Sequence, residues 1–324
     1  MTEAAPAARP TPSAQPSVVI ALDVGGTGIK CALVRPDGTN HHTERHPTRA
    51  DRGPEAVVQT ILGVAEGLAD RARADGLDPV AVGIAVPGVV DEAAGVAVWS
   101  ANVGFRDVPL RALVTERLGL PAALGHDVRA GGIAEARIGA GQGGRYVLFI
   151  AIGTGIAAAL TIDGTAYVGA HGAAGELGHI VVRPDGPRCG CGQVGCLEAI
   201  ASAAAVGRRY TELAGEPASA AEVVRRATAG EKLATRIWQE TVEALADGLL
   251  IAQALYDPAV VVVGGGLAEA GDELLVPLRA ALRARLTFHR EPELVRAALG
   301  DEAGCLGAAL LALDAIGTAP IPDR

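Results

Sequence analysis

Residues 22–39 read LDVGGTGIKCALVRPDGT, and residues 150–165 read IAIGTGIAAALTIDGT. Both run from an apolar strand through Gly-Thr-Gly-Ile into a second apolar strand, and both close on Asp-Gly-Thr. The tetrad Gly26–Ile29 is identical to Gly153–Ile156. Two copies about half a chain apart predict duplicated α/β units, each presenting a glycine hairpin, and not a solenoid. Around the first copy, VVIALDV at 18–24 reads as a buried strand, Ile29 to Val34 as a second strand, and Asp37-Gly38 as a hairpin turn. From Pro54 to Ala74, Val57, Ile61, Val64 and Leu68 recur at helical spacing, with Pro54 at the first position and Gly76 behind the end. Val80 to Val86 reads as another buried strand. Beyond the second copy, 168–196 is loop-rich and heavy in glycine, and 231–256 is a long helix stopped at Asp257-Pro258. A buried strand at 259–263 runs into Gly264-Gly265-Gly266, and helices are predicted at 272–285 and 304–314.

The chain has 324 residues, 49% hydrophobic and 20% charged, enough for one large domain or two smaller ones. Aromatic residues are only 3%, so the core is built from Ala, Val, Leu and Ile. So few rings argue against a stacking platform for single-stranded nucleic acid. With 28 basic and 37 acidic residues the net charge is −9, which argues against nucleic acid or an anionic membrane as the main partner. Residues 1–17, with Pro6, Pro10, Pro12 and Pro16, read as a disordered Pro-rich tail without the apolar region of a signal peptide. The longest apolar stretch, Leu148 to Leu160, is broken by Gly153-Thr154-Gly155 and falls short of the ~20 residues of a membrane span. The expectation is a cytoplasmic protein.

Three glycine turns carry the first chemistry. In Asp23-Val24-Gly25-Gly26-Thr27-Gly28-Ile29-Lys30, glycines let backbone amides approach phosphate oxygens. The spacing is not that of a Walker A loop. Asp23, at the end of the incoming strand, can hold the water shell of a Mg²⁺ beside the phosphates. Gly153-Thr154-Gly155 offers a second grip, and Gly264-Gly265-Gly266 a third at a strand end, where α/β folds dock ligands. A dinucleotide fingerprint is disfavoured, because Glu269 stands where it needs glycine. A single such turn is also what a structural hairpin looks like; three at strand ends point to nucleotide binding.

Five cysteines are an odd, sparse set for a chain of this length, unlike a secreted disulfide framework. Three of them form His179-x9-Cys189-x-Cys191-x4-Cys196, a Cys3His donor set suited to tetrahedral structural zinc. Gly190, Gly192 and Gly195 give a tight metal knuckle its backbone freedom. Glu176 and Glu198 stand as alternatives for the fourth ligand, and free thiols or a redox pair as alternatives to zinc. Glu176 and His179 face one way if their segment is a helical turn. A metal-bound His179 keeps its second ring nitrogen for a ligand. Cys31 and Cys305 read as core residues.

These motifs, in order, resemble the ROK family of sugar kinases and related repressors, within the hexokinase/actin/heat-shock-70 superfamily. The likeness runs from Val18 onward. It rests on the first phosphate motif at 23–34, the connecting strand Gly83–Asp91, Asn102 before Val103-Gly104-Phe105, Asp127, and the second phosphate motif at 153–155. Its most specific parts are Gly172-Ala173-Ala174-Gly175-Glu176-Leu177-Gly178-His179 and Cys-Gly-Cys-Gly-x-x-Gly-Cys-Leu-Glu at 189–198, followed by the adenosine motif at 264–266. The resemblance implies a two-lobed actin-like ATPase (ribonuclease H-like) α/β fold with a nucleotide and sugar cleft between the lobes and a zinc knuckle. The small lobe would hold 17–124 plus 304–324, and the large lobe 125–303.

The resemblance implies roles as well. Asp127 matches the catalytic base, and Asn102, His126, Asp127, Glu176, His179 and Glu198 match sugar-binding positions. Asp23, Gly25, Gly26, Thr27 and Lys30, then Gly153, Thr154 and Gly155, then Gly264, Gly265 and Gly266, match the nucleotide- and phosphate-binding positions. His179, Cys189, Cys191 and Cys196 match the zinc ligands. The implied activity is ATP-dependent phosphorylation of a hexose at its 6-hydroxyl, with glucose first and N-acetylmannosamine, N-acetylglucosamine, fructose or allose as alternatives. ATP, Mg²⁺ and structural Zn²⁺ are the implied cofactors, and a homodimer or homotetramer the implied assembly. The family usually has Asn before the base; His126 departs from this and bears on which hexose is held, and on the base itself. A sugar-sensing repressor is the other class. It carries a helix-turn-helix before the first phosphate strand, and the seventeen residues here and the −9 charge speak against it.

Overall fold

A computed structural model describes residues 15–317. Residues 1–14, most of the expected tail, and 318–324, the end of the expected small lobe, lie outside the described residues. The first half runs β1 (Ser17–Val24), β2 (Gly28–Val34), β3 (Asn40–Pro47), α1 (Pro54–Ala74), β4 (Asp78–Val86), β5 (Val89–Asp91), β6 (Val96–Trp99), β7 (Arg106–Val108), α2 (Leu110–Leu118), β8 (Ala122–His126) and α3 (Asp127–Ile138). The second half runs β9 (Tyr146–Ile152), β10 (Ile156–Ile162), β11 (Thr165–Ala166), α4 (Leu197–Ala201), α5 (Ala203–Ala214), α6 (Ala220–Thr228), α7 (Lys232–Tyr256), β12 (Val260–Gly264), α8 (Asp272–Arg283), β13 (Glu293–Arg296) and α9 (Ala303–Ala315).

The sequence repeat is a repeat of topology. One sheet has the order β3-β2-β1-β4-β8 and the other β11-β10-β9-β12-β13. In each, the strand leading into the glycine turn pairs antiparallel with the strand leaving it and parallel with a later strand on its other side. Strands covered on both faces read as continuous apolar runs, and Val18 to Leu22 are all fully buried. The helices α4 to α8 pack with the second sheet in one core, and α1 and α2 with the first sheet in another.

Helices α3 and α9 cross closely, α9 lying on β1, β4 and β8 and α3 on β9 and β10. Small residues make this possible: a Cβ at Gly307 would stand 2.0 Å from the carbonyl oxygen of Ala130. The core at this contact is rich in Ala, with Ala130, Ala134, Ala308, Ala309 and Ala312 all buried.

The run Gly83–Asp91, expected as one connecting strand, is two. It breaks at Pro87-Gly88, where Pro87 has no N–H for a ladder and Gly88 turns the chain at φ 103°. The second piece, β5, belongs to a separate three-stranded sheet, β5-β6-β7. No helix among the described residues is long and apolar enough to cross a membrane.

Candidate functional site

Strand register brings the polar ends of the first sheet to one edge. Asp23 at the end of β1 lies beside Ala85 of β4, and Val86 lies beside His126 of β8. This is the carboxyl edge of parallel strands, where α/β sheets receive ligands. Gly25 N–H donates to Gly28 O at 2.8 Å, which closes the first turn, and Thr48 Oγ1 donates to Gly25 O at 2.6 Å from outside it. Asn102, in the β6–β7 loop, lies over this turn: its Cβ is 3.3 Å from where a side chain at Gly26 would begin.

Asp127 is the first residue of α3. Its Oδ1 accepts from Val128 N–H at 2.7 Å and stands 3.3 Å from His126 Nε2. Its Oδ2 has no hydrogen bond among the described residues, and 30% of the side chain is open to solvent. One oxygen is therefore held and the other free. Burial raises the Asp127 carboxyl above its ordinary pKa, against the Val128 amide and the Arg129 charge, which favour the carboxylate.

Asp23 is pushed up to about 6, chiefly by burial, with Lys30 opposing and the negative charge of Asp127 adding to the rise. Lys30 Nζ lies 3.7 Å from Asp23 Oδ2, and it is also paired with Asp301 just before α9. Asp23, Lys30 and Asp127 thus share one electrostatic neighbourhood. His126 is only 7% exposed. Burial, reinforced by the Arg129 cation, lowers its pKa to about 4. It is neutral at pH 7, with Nδ1 buried and unpartnered. Its Nε2 lies beside Asp127 Oδ1 with no hydrogen bond between them among the described residues.

The second glycine turn closes by Gly153 N–H donating to Gly155 O at 2.9 Å. Glu198, at the start of α4, accepts from Ile156 N–H at 2.9 Å. Its carboxylate lies so close to the chain that a Cβ at Gly155 would stand 2.4 Å from Oε2. Gly264 of β12 pairs with Ala151 of β9, which sets the third turn beside the second.

Glu176 precedes and His179 ends a single turn of 3-10 helix at Leu177–His179, and His179 Nε2 stands 3.8 Å from Glu176 Oε2. The other ring nitrogen, Nδ1, is 3.7 Å from Cys189 Sγ. Cys191 and Cys196 sulfurs are 3.7 Å apart, and the four donor atoms of His179, Cys189, Cys191 and Cys196 lie within 4.8 Å of one another. Two sulfurs bound to tetrahedral zinc at about 2.3 Å stand about 3.8 Å apart, whereas a disulfide needs about 2.05 Å. The cluster fits zinc, and His179 completes it in place of Glu176 or Glu198. All five cysteines are free, and Cys31 and Cys305 are core residues as expected, with burial pushing Cys31 up to about 12.

Three groups escaped the sequence reading. Arg129, with a side chain 3% exposed, donates from Nε to Glu92 Oε1 at 2.7 Å. Glu92 Oε1 also accepts from His126 N–H at 3.3 Å. Asp301 ties Lys30 to Arg45, whose Nη2 is 2.7 Å from Asp301 Oδ2. No motif spacing joins positions so far apart in the chain.

A pair of sheets with matching topology, glycine turns at their strand ends, and a helix-start aspartate between them defines the class. The chain belongs to the ROK family, whose model matches residues 19–315. It is 34% identical over 320 residues to a glucokinase of Thermotoga maritima, covering 92% of this chain and 98% of the relative. A ROK hexokinase of Thermus thermophilus superposes with a TM-score of 0.83 at 35% identity, covering 93% of this chain and all (100%) of that one. A ROK glucokinase of Streptomyces griseus in complex with glucose and AMPPNP gives a TM-score of 0.79 at 31% identity, with 92% and 100% covered.

Proposed function

We propose that this chain is an ATP-dependent hexose kinase that transfers the γ-phosphoryl group of ATP to the 6-hydroxyl of glucose, in the cytoplasm, as a homodimer or homotetramer. The observation that carries the reading is Asp127: one oxygen fixed by the Val128 amide, the other free, in a chain that belongs to the family of the glucokinases described above. The free oxygen takes the proton of the attacking hydroxyl. Phosphoryl transfer asks for little else beyond positioning and charge neutralisation.

Asn102, Glu176, His179 and Glu198 are the proposed hydroxyl ligands, with His126 beside the base. Such a ring of donors and acceptors discriminates sugars because a wrong epimer leaves buried polar groups unpaired. Gly25, Gly26, Thr27 and Lys30, with Gly153, Thr154 and Gly155, are the proposed phosphate contacts, and Gly264, Gly265 and Gly266 the adenosine contacts. Asp23 supplies a hard oxygen donor that fits Mg²⁺, which would contribute neutralisation of phosphate charge. The proposed lobes are 17–124 plus 304–324 and 125–303. Closure on the sugar would exclude the water that otherwise hydrolyses ATP.

The test is incubation with Mg²⁺, ATP or polyphosphate, and a panel of glucose, N-acetylmannosamine, N-acetylglucosamine, fructose and allose. Sugar-dependent ADP release with glucose preferred is expected. No turnover with any sugar and either donor would remove the kinase reading.

Asp23 yields a separate prediction. Its pKa is raised from 3.8 to about 6, so the folded state binds the proton more tightly than the unfolded state. Stability is greatest below the unfolded value and is lost as pH rises through about 6. The two-unit shift corresponds to about 3 kcal/mol of destabilisation at neutral pH. Asp23→Asn should therefore raise Tm by roughly 2–6 °C at pH 7.5 and have little effect at pH 4, while turnover falls. Equal Tm values at pH 7.5 would show that the buried carboxylate carries no such penalty.

A further inference from the structure

Three segments meet behind Asp127. They are the start of α3, the β5–β6 turn with Glu92, and the 172–179 loop that carries Glu176 and His179. Arg129 is the side chain that touches the other two. From α3, Nε donates to Glu92 Oε1 at 2.7 Å, and Nη1 donates to the carbonyl oxygen of Gly172 at 3.0 Å. Gly172 is pressed on the same junction from its other side, since a Cβ there would stand 2.5 Å from Val90 O. The third nitrogen of the guanidinium, Nη2, is buried without a partner. A cation held this deep with one donor unused is costly to keep. The two bonds it makes are to the base's neighbourhood on one side and to the hydroxyl-reading loop on the other.

We propose that Arg129 is a positioning residue that clamps the 172–179 loop to the helix bearing Asp127, and so sets the distance between the base and the groups that read the sugar. The substrate part rests on the hexose-kinase reading; the clamp itself does not. A planar fork is what the task needs, because one guanidinium reaches two acceptors in fixed directions and an ammonium does not.

The experiment uses the full chain and four variants: Arg129→Met, Arg129→Lys, Glu92→Gln, and Glu92→Gln with Arg129→Met. The double variant removes the unpaired Glu92 charge that the single Met change leaves behind, so it retains the fold if Arg129→Met alone does not. Backbone hydrogen exchange is followed without substrate, and hexose and nucleotide KM are measured beside kcat. Relative to Glu92→Gln, the double variant should exchange residues 172–179 about 10-fold faster or more, with strands 18–24 and 147–152 unchanged, because the charge-assisted bond to Gly172 O is lost on that loop and the other bond of Arg129 lies on the β5–β6 turn, not on either strand. Hexose KM should rise about 10-fold or more, with nucleotide KM within about 2-fold. Arg129→Lys should restore neither value. Unchanged exchange at 172–179 in the double variant overturns the clamp, whatever the catalytic activity. Faster exchange with an unchanged hexose KM overturns its role in the sugar site. If the wild type turns over no sugar, the kinase reading and the substrate part fall together, and the exchange result still decides the clamp.

Discussion

Asp127→Asn should reduce kcat by about 10³-fold or more while leaving hexose affinity within about 3-fold of the wild type. An amide at this position keeps an oxygen for Val128 N–H, so the start of α3 keeps its geometry. It has no basic oxygen for the proton of the attacking hydroxyl. A 10³-fold loss corresponds to about 4 kcal/mol of transition-state stabilisation, within the range of a positioned general base. The pH profile offers a second readout. Burial raises Asp127, and it raises Asp23 to about 6, so the acid limb of the wild-type profile should lie above the ordinary carboxylate range. His126 does not contribute to that limb near neutrality, since burial and Arg129 hold it near 4. Isothermal titration with the hexose, beside single-turnover rates with ATP, separates binding from chemistry. Near-native turnover by the variant would remove Asp127 as the base.

Both hairpins and the strands behind them were legible because strands covered on two faces leave long apolar runs, and the Gly-Thr-Gly-Ile repeat marks their ends. β3 was not. Its sequence NHHTERHP has no apolar run, and it pairs only as the edge of a sheet whose hairpin turn is Asp37-Gly38. α3 was hidden by composition. Two glycines in DVRAGGIAEARI each weaken a helix by about 1 kcal/mol relative to alanine, and packing against α9 and β9 overrides them. The candidate site divides in the same way. Asp127 alone is an unremarkable turn aspartate, and only its order among the motifs singled it out. Glu92 and Arg129 left no trace, because a contact between the β5–β6 turn and a helix 37 residues later follows no periodicity. The acidic balance also takes on a local meaning. Lys30, the lysine of the first phosphate motif, is already paired with Asp23 and Asp301. Under the proposed reading, phosphate at that turn would be met by backbone amides together with Lys30, and the amides carry no net charge and do not appear in a charge count.

Removing metal from the His179 cluster should lower Tm and raise hexose KM about 10-fold or more, with nucleotide KM changed far less. The reason lies in which ring nitrogen faces which way. His179 Nδ1 is 3.7 Å from Cys189 Sγ, so a metal among the sulfurs takes the Nδ1 lone pair and leaves the proton on Nε2. That nitrogen stands 3.8 Å from Glu176 Oε2, too far for a hydrogen bond to it, so its proton is left for a sugar hydroxyl under the proposed reading. Without metal the ring is free to turn and to change tautomer, and three thiols at 3.5–3.7 Å from their neighbours lose what gathers them. The segment is folded on itself as one unit: besides the bridges Val181 to Cys196 and Arg188 to Val194, Val182 and Arg183 N–H both donate to Gly195 O, and Cys189 N–H donates to Gln193 O at 2.8 Å. Damage should therefore spread through 179–196 and reach Glu198 through α4, whose first residues follow Cys196 directly. The proposed nucleotide side, Asp23, Lys30 and the turns at 25–28 and 264–266, has no residue in the cluster. Elemental analysis should find one zinc per chain, and Cys191→Ser, the variant at the exposed ligand, should lose it and reproduce the chelator's effect on hexose KM. A chain purified without zinc that binds hexose as tightly as the zinc-loaded form would show that the cluster does not orient His179.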